Sequence, residues 1–263
     1  MEVILSIDAG TTGVRSVLVD KHGSIVESSY QEFPQYFPQV GHVEHDPMEI
    51  WIAIEHTISD VIKKFGSQPV AIGITNQRET IVCWDKKSSI PRCNALVWQD
   101  RRTSERCTQL LEDGVLPLVR ESTGLVLDPY FSASKIEWLI KNKIELSEDI
   151  AFGTIDSWIL WKLTDGAVFA TDVTNASRTM LFNIHDLCWD HDLLEIFGVS
   201  PSYLPEVFPS SGHFGTTMNQ SVLQAGIPIT GIAGDQQASL FGQTAFTEGD
   251  AKNTYGTGSF LLL

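Results

Sequence analysis

The residues best suited to chemistry stand at the ends of short apolar runs. Asp8 closes the first run, and Gly10-Thr11-Thr12-Gly13 and then Arg15 follow it at once. A tight turn with free backbone N–H groups, two hydroxyls and a neighbouring arginine suits a phosphate. Gly10 and Gly13 admit left-handed or unusually close backbone geometry. Asp8 is placed to hold a metal ion through water. Asn76-Gln77-Arg78-Glu79 follows the run at 70–75, Trp98-Gln99-Asp100-Arg101 the run at 95–97, and Asp235-Gln236 the run at 227–233. Arg78 and Glu79 offer donors and acceptors to hydroxyl groups, while Trp98 and Tyr130 offer apolar faces with polar tips. Together they describe a small polyol pocket with a carboxylate base, beside a phosphate cradle. Gly256-Thr257-Gly258 echoes the first turn, so that two such turns could grip a phosphate chain from both sides. Each residue also suits a plainer role: a polar hairpin tip, a surface ion pair for Arg78 and Glu79, core packing for Trp98, a helix cap for Asp235.

Other reaction signatures are missing. There is no G-x-x-x-x-G-K-[ST], no H-E-x-x-H and no G-x-S-x-G, and Leu261 stands where a dinucleotide fingerprint needs its third glycine. Cys83, Cys93, Cys107 and Cys188 form no C-x-x-C pair, which reads as free thiols in a reducing cytoplasm.

The elements that must position these residues follow from pattern. Residues 3–7 and 14–19 are short, β-branched and bounded by glycine, which predicts two antiparallel strands. A third strand is expected at 24–30, then a loop over 31–45. Asp46-Pro47-Met48-Glu49 starts a helix, and Trp51, Ile54, Ile58, Val61, Ile62 and Phe65 recur at helical spacing to its end near Gly66. Strands are expected at 70–75, 81–84, 95–98 and 227–233. Helices are expected at 103–111 and 132–141, at 193–197, from a cap at Asp156, and after Asp235 with Ala238 and Phe241 facing inward. Residues 171–183 read as polar and irregular, and 252–260 as strand, turn and strand.

The 263 residues are 43% hydrophobic and 19% charged, as expected of a packed globular chain. A net charge of −15 argues against nucleic-acid or anionic-membrane surfaces. No run has the length of a membrane span, and the N-terminus lacks the basic start of a signal peptide. The apolar Leu261-Leu262-Leu263 ending predicts a cut inside a strand, with the residues from about 252 onward disordered or paired to another chain.

The motifs DAGTTGVRS (8–16), GHVEHDPMEIW (41–51), GITNQRET (73–80), VWQDRRT (97–103), STGLVLDPYFSASK (122–135), TNASRTMLFNIH (174–185), GIAGDQQASLFGQ (231–243) and KNTYGTGSF (252–260) resemble the N-terminal half of the glycerol kinases in the FGGY family of carbohydrate kinases. The likeness covers essentially the whole chain, and NQRE, which the pentulose kinases of the group usually lack, points to glycerol. The resemblance implies an α/β, ribonuclease-H-like (actin-like ATPase) fold: a mixed sheet with flanking helices. Residues 1–251 would form the glycerol-binding domain and 252–263 the first strand and turn of a second FGGY domain. It further implies that Arg78, Glu79, Trp98, Tyr130, Asp235, Gln236 and Phe260 line the glycerol site, with Asp235 the base. Thr11, Thr12, Gly13, Arg15 and Thr257 would contact nucleotide phosphates, and Asp8 and Asp235 would hold Mg²⁺. The implied reaction is ATP-dependent phosphorylation of glycerol to sn-glycerol 3-phosphate, the first step of glycerol catabolism, in a cytoplasmic protein that is a homo-oligomer at full length. The chain departs from the family at 219–226, NQSVLQAG, which has no Arg or Lys where many bacterial members bind fructose 1,6-bisphosphate. Alternatives are a non-catalytic polyol-binding half-length module, or a kinase for another small polyol or sugar of the group. An actin-like or chaperone-like ATPase would leave Arg78, Glu79 and Trp98 unexplained.

Overall fold

The structure, a computed structural model, describes residues 1–218, 222–256 and 258–263. The chain begins with β1 (Val3–Ala9), β2 (Gly13–Asp20), β3 (Ile25–Glu32), a short β4 (Glu44–His45) and α1 (Pro47–Phe65). Then come β5 (Ala71–Asn76), β6 (Ile81–Asp85), β7 (Ile90–Pro91), β8 (Ala95–Leu96), α2 (Ser104–Glu112), α3 (Leu116–Thr123) and α4 (Ser132–Asn142). The middle adds β9 (Ile150–Thr154), α5 (Ile155–Leu163), β10 (Ala170–Asp172), α6 (Val173–Ala176), β11 (Phe182–Asn183), β12 (Cys188–Trp189), α7 (His191–Phe197) and β13 (Glu206–Phe208). Last are β14 (Ile229–Gly234), α8 (Asp235–Gly242), β15 (Lys252–Tyr255) and β16 (Ser259–Leu262).

The central sheet has the order β14-β5-β1-β2-β3. β1, β2 and β3 form an antiparallel meander, whereas β5 and β14 run parallel to β1. The carboxyl ends of β1, β5 and β14 therefore lie on one edge, where ligands of open α/β sheets bind. Along β1, Val3, Leu5, Ile7 and Ala9 point into a core shared with α1 and α5. α1 starts where Asp46 accepts from the Met48 N–H at 2.7 Å, and it ends where Gly66 turns left-handed at φ 84°. β6 anchors a second small sheet with β8 and β4, and also pairs β7 and β9. A second core around β6, β9, α4 and α7 fills the space beneath it.

Four expectations change. Thr154, not Asp156, stands at the N-cap position of α5, without a side-chain capping bond; Asp156 lies inside α5, fully buried, and accepts from the Thr154 and Thr171 hydroxyls at 2.5 and 2.7 Å. Phe241 is 73% exposed and meets Phe246 edge-to-face at 5.0 Å, because it borders a groove over the sheet face opposite α1, lined by Ser6, Gly73, Thr75 and Gly231. Polar 171–183 holds the end of β10, then α6 and β11, with Asp172 capping the start of α6 by accepting from the Thr174 and Asn175 N–H groups. The tail pairs with itself, not with another chain: β15 and β16 run antiparallel beside α8, and the Lys252 ammonium is buried on Gln236 Oε1 and Thr254 Oγ1 (2.6 Å). No helix among the described residues is long and apolar enough to cross a membrane.

Candidate active site

The β1–β2 turn is shaped by close approach, not by left-handed backbone. Gly10 N–H donates to the Gly13 carbonyl at 3.0 Å. A Cβ on Gly13 would lie 2.6 Å from the Gln31 carbonyl oxygen and from the Tyr30 hydroxyl, so no larger residue fits. The turn is held from below by Gln77, whose Nε2 donates to the Gly10 carbonyl at 2.9 Å, and from the side by Gln35, which donates to the Thr11 carbonyl at 3.1 Å. Gln77 rests near His45, fully buried; burial lowers the His45 pKa to about 4 and keeps it neutral.

Beyond β5, the chain bends sharply through Glu79, whose φ of 63° is unusual for a residue with a side chain. The bend is held from outside. Ser132 Oγ donates to the Glu79 carbonyl at 3.1 Å, and Arg178 Nε donates to Glu79 Oε1 at 2.7 Å. The Glu79 side chain is only 2% exposed. Burial pushes its pKa up, against the opposing pull of Arg78, Arg178 and Lys135. Arg78 lies 3.2 Å from Asp235 Oδ1 through Nε, off line for a hydrogen bond but close enough to pair, and its Nη1 donates to Gln237 at 3.2 Å. Gly234 makes room for this arginine: a Cβ there would lie 2.5 Å from Arg78 Cδ. Asp235 opens α8, where its carboxylate accepts from the Gln236 N–H at 2.7 Å and the Gln236 amide at 3.0 Å.

Three aromatic rings complete the wall. Trp98 meets Tyr130 edge-to-face at 5.6 Å and Phe260 at 6.0 Å. The Trp98 indole N–H donates to Thr11 Oγ1 at 2.9 Å, tying the wall to the first turn. The resulting cavity of about 140 Å³ is lined by Arg78, Glu79, Trp98, Tyr130, Asp235, Gln236 and Phe260, together with Thr11, Gln77, Thr254, Gly256 and Gly258. That space is on the scale of a small molecule.

All seven residues expected around a polyol thus share one cavity. Of the expected phosphate contacts, Thr11 lines it, and Gly256 and Gly258 bring the second glycine turn to its rim. Thr12, Gly13 and Arg15 lie outside the cavity; Arg15 sits over the Tyr30 ring at 5.7 Å. Thr257 lies outside the described residues. Asp8 also lies outside the cavity, opposite Arg15 across the β1–β2 ladder. Its pKa is raised by burial and by the charge of Asp235, and lowered by Arg15. The Asp8 and Asp235 carboxyls thus lie near enough for each to feel the other's charge. No group of three or more metal-binding side chains is present among the described residues. Sequence reading gave no individual role to Arg178, Gln77, Lys252 or Lys135. GITNQRET contained Gln77, but nothing in the order of residues tied Arg178 to Glu79, 99 positions away.

Residues 3–242 match the N-terminal domain of the FGGY family of carbohydrate kinases. A glycerol kinase of Limosilactobacillus reuteri is 51% identical over 270 residues, covering 100% of this chain and 54% of the relative. One from Halorhodospira halophila is 53% identical over 268 residues, covering 99% and 53%. The chain spans about half the length of the curated relatives it matches. The crystal structure of Plasmodium falciparum glycerol kinase with ADP superposes with a TM-score of 0.94 at 39% identity, over 99% of this chain and 54% of that one. A xylulose kinase of Lactobacillus acidophilus shares the fold at a TM-score of 0.91 and 24% identity, over 99% and 54%.

Proposed function

The chain belongs to the FGGY family of carbohydrate kinases, and from that membership we propose that it is the polyol-binding half of an ATP-dependent glycerol kinase. The observation that carries the reading is the cavity of about 140 Å³ in which Arg78, Glu79 and Asp235 face three aromatic rings. A triol presents hydroxyls along one side and C–H groups along the other. Arg78 donates to hydroxyl oxygens and Glu79 accepts from hydroxyl hydrogens, while Trp98, Tyr130 and Phe260 take the C–H face. Asp235, at the start of α8, takes the proton of the attacking terminal hydroxyl, and the product is sn-glycerol 3-phosphate. Its two hydrogen bonds from Gln236 and the nearby Arg78 guanidinium hold the carboxylate in place. Phosphoryl transfer depends mainly on positioning and charge neutralisation. For that, the N–H groups and hydroxyls of Thr11, Thr12 and Gly13, together with Arg15 and Thr257, contact the nucleotide phosphates. Asp8 and Asp235 would hold Mg²⁺, which neutralises phosphate charge when bound; a pair of carboxylates with water and phosphate oxygens suits that ion.

Residues 252–263 begin the second FGGY domain, whose remainder holds the adenine and closes over the site. This half by itself turns over little. The four free cysteines accord with a cytoplasmic location. The reading is tested by calorimetric titration of this chain with glycerol, followed by glycerol-dependent ADP formation with Mg-ATP in this chain and in one extended through the second half. Saturable glycerol binding, with activity in the extended form, supports it. Binding in both without turnover in either supports a binding module instead. No glycerol binding in either form refutes the polyol reading.

A further inference from the structure

Lys135, in the first turn of α4, is completely buried. All its hydrogen bonds go to main-chain oxygens: Nζ donates to the carbonyls of Pro129 at 2.7 Å, Tyr130 at 2.7 Å and Phe131 at 3.0 Å. An ammonium has three hydrogens, and here each has an acceptor, which is what makes a buried cation tolerable. The carbonyls of three successive residues, 129–131, converge on this one ammonium. That backbone carries the Tyr130 ring into the cavity.

Tyr130 has other restraints as well, among them a side-chain hydrogen bond with Arg178. Its N–H donates to Asp128 Oδ1 at 2.8 Å. Its ring is held between Trp98 and Phe131, at 5.6 and 5.2 Å, with the Arg178 guanidinium 5.6 Å from its centre. The next residue but one, Ser132, carries the hydroxyl that supports the strained bend at Glu79. The segment 129–132 thus holds both the aromatic wall and the acidic corner of the cavity, and Lys135 lies behind it.

We propose that Lys135 is a positioning residue of the polyol site, fixing the 129–131 backbone so that the Tyr130 ring stands against Trp98. The proposal rests on the polyol reading above. The groups that face Lys135 electrostatically are Glu79, Asp100, Asp128 and Cys107, all of which favour its charge; burial outweighs them and lowers its pKa to about 8. A neutral amine has two hydrogens for three carbonyls, so one carbonyl loses its partner as pH rises through that value. Polyol affinity should therefore decline over the same range.

The test uses this chain and its Lys135→Met variant, with hydrogen exchange read by mass spectrometry and glycerol titrated calorimetrically. The expected result is faster exchange confined to 128–132, with glycerol affinity weakened about tenfold or more, as for lost hydrogen bonds to a charged group. A variant that binds glycerol like the unaltered chain overturns the proposal. If the variant is loosened throughout, the unaltered chain decides: glycerol affinity falling between about pH 7 and pH 9 supports the clamp, and a flat profile overturns it. Absence of glycerol binding by the unaltered chain at neutral pH defeats the polyol reading instead. In that case unchanged exchange over 128–132 in the variant would overturn the clamp separately.

Discussion

Replacing Arg178 by Met should destabilise the domain in a way that depends on pH. Methionine keeps an apolar stem against Tyr130 and Phe131, whose rings lie 5.6 and 5.0 Å from the guanidinium, but it removes the donor to Glu79. Breaking one side of a fully buried ion pair costs about 3–5 kcal/mol. Here Glu79 is 2% exposed but Arg178 is 23% exposed, and Arg78 remains 4.0 Å from the same carboxyl, so about 2 kcal/mol is the reasonable scale. For a domain of this size that lowers the melting temperature by about 4–8 °C. The sign with pH follows from Glu79. Its native pKa is already above the ordinary value because of burial, and losing Arg178 raises it further. At acid pH Glu79 is protonated in both proteins and needs no cation, so the difference between them is small. As pH rises through the native pKa of Glu79, the unaltered chain ionises it beside Arg178 and the variant does not, so the deficit grows and then levels off. Melting curves taken from acid to alkaline pH, across the range in which the unaltered chain ionises Glu79, read this directly. A deficit of the same size at both ends, or none at either, would refute the claim that Arg178 stabilises an ionised Glu79.

Three further outcomes are expected. Asp235→Asn, in a protein carrying the second half, should lower turnover about 100-fold or more while leaving glycerol affinity nearly intact; a parallel loss of binding would remove Asp235 from the role of base. Gly234→Ala should weaken glycerol binding, because the new Cβ would lie 2.5 Å from Arg78 Cδ and must displace that side chain; an unchanged calorimetric titration would contradict it. Asp156→Asn bears on stability alone. Burial raises the Asp156 pKa to about 7, with Asp172 adding to the rise, so the native state holds a proton there that the unfolded chain has released. Stability from this group is complete below its unfolded value near 3.8 and declines as pH rises towards 7. The amide has no proton to lose, so the variant should match the unaltered chain near pH 4 and exceed it near pH 8, by at most about 4 kcal/mol. Denaturant titrations at both values check this, and a variant weaker at pH 8 would show that the Thr154 and Thr171 bonds need the carboxyl itself.

What the sequence disclosed and what it withheld differ in range. Arg78, Glu79, Trp98, Tyr130, Asp235 and Gln236 were legible because each lies close to a strand end or a helix start, and the parallel arrangement of β1, β5 and β14 sends such positions to one edge. The hairpin, α1 and α4 were legible because turn glycines, the Asp46 cap and helical spacing act within a few residues. Asp156 was misread for the same reason. An acid before an apolar run is the local signal of a cap, and only the fold reveals that Thr154 occupies that position while Asp156 turns inward to Thr171. Phe241 was misread because apolar character predicts burial only where another element covers the face, and none among the described residues covers that end of α8. The supports of the site were out of reach altogether. Arg178 finds Glu79 from 99 residues away, and Ser132 finds it from 53. Lys135 was close in sequence to the carbonyls it donates to, yet a lysine before an apolar helical face reads as a solvated charge; only complete burial turns it into a clamp. The residues that touch a ligand are set by where strands end. The residues that hold them still are set by packing, and on that difference Lys135 and Arg178 are the side chains whose removal should most disturb the site without touching its contents.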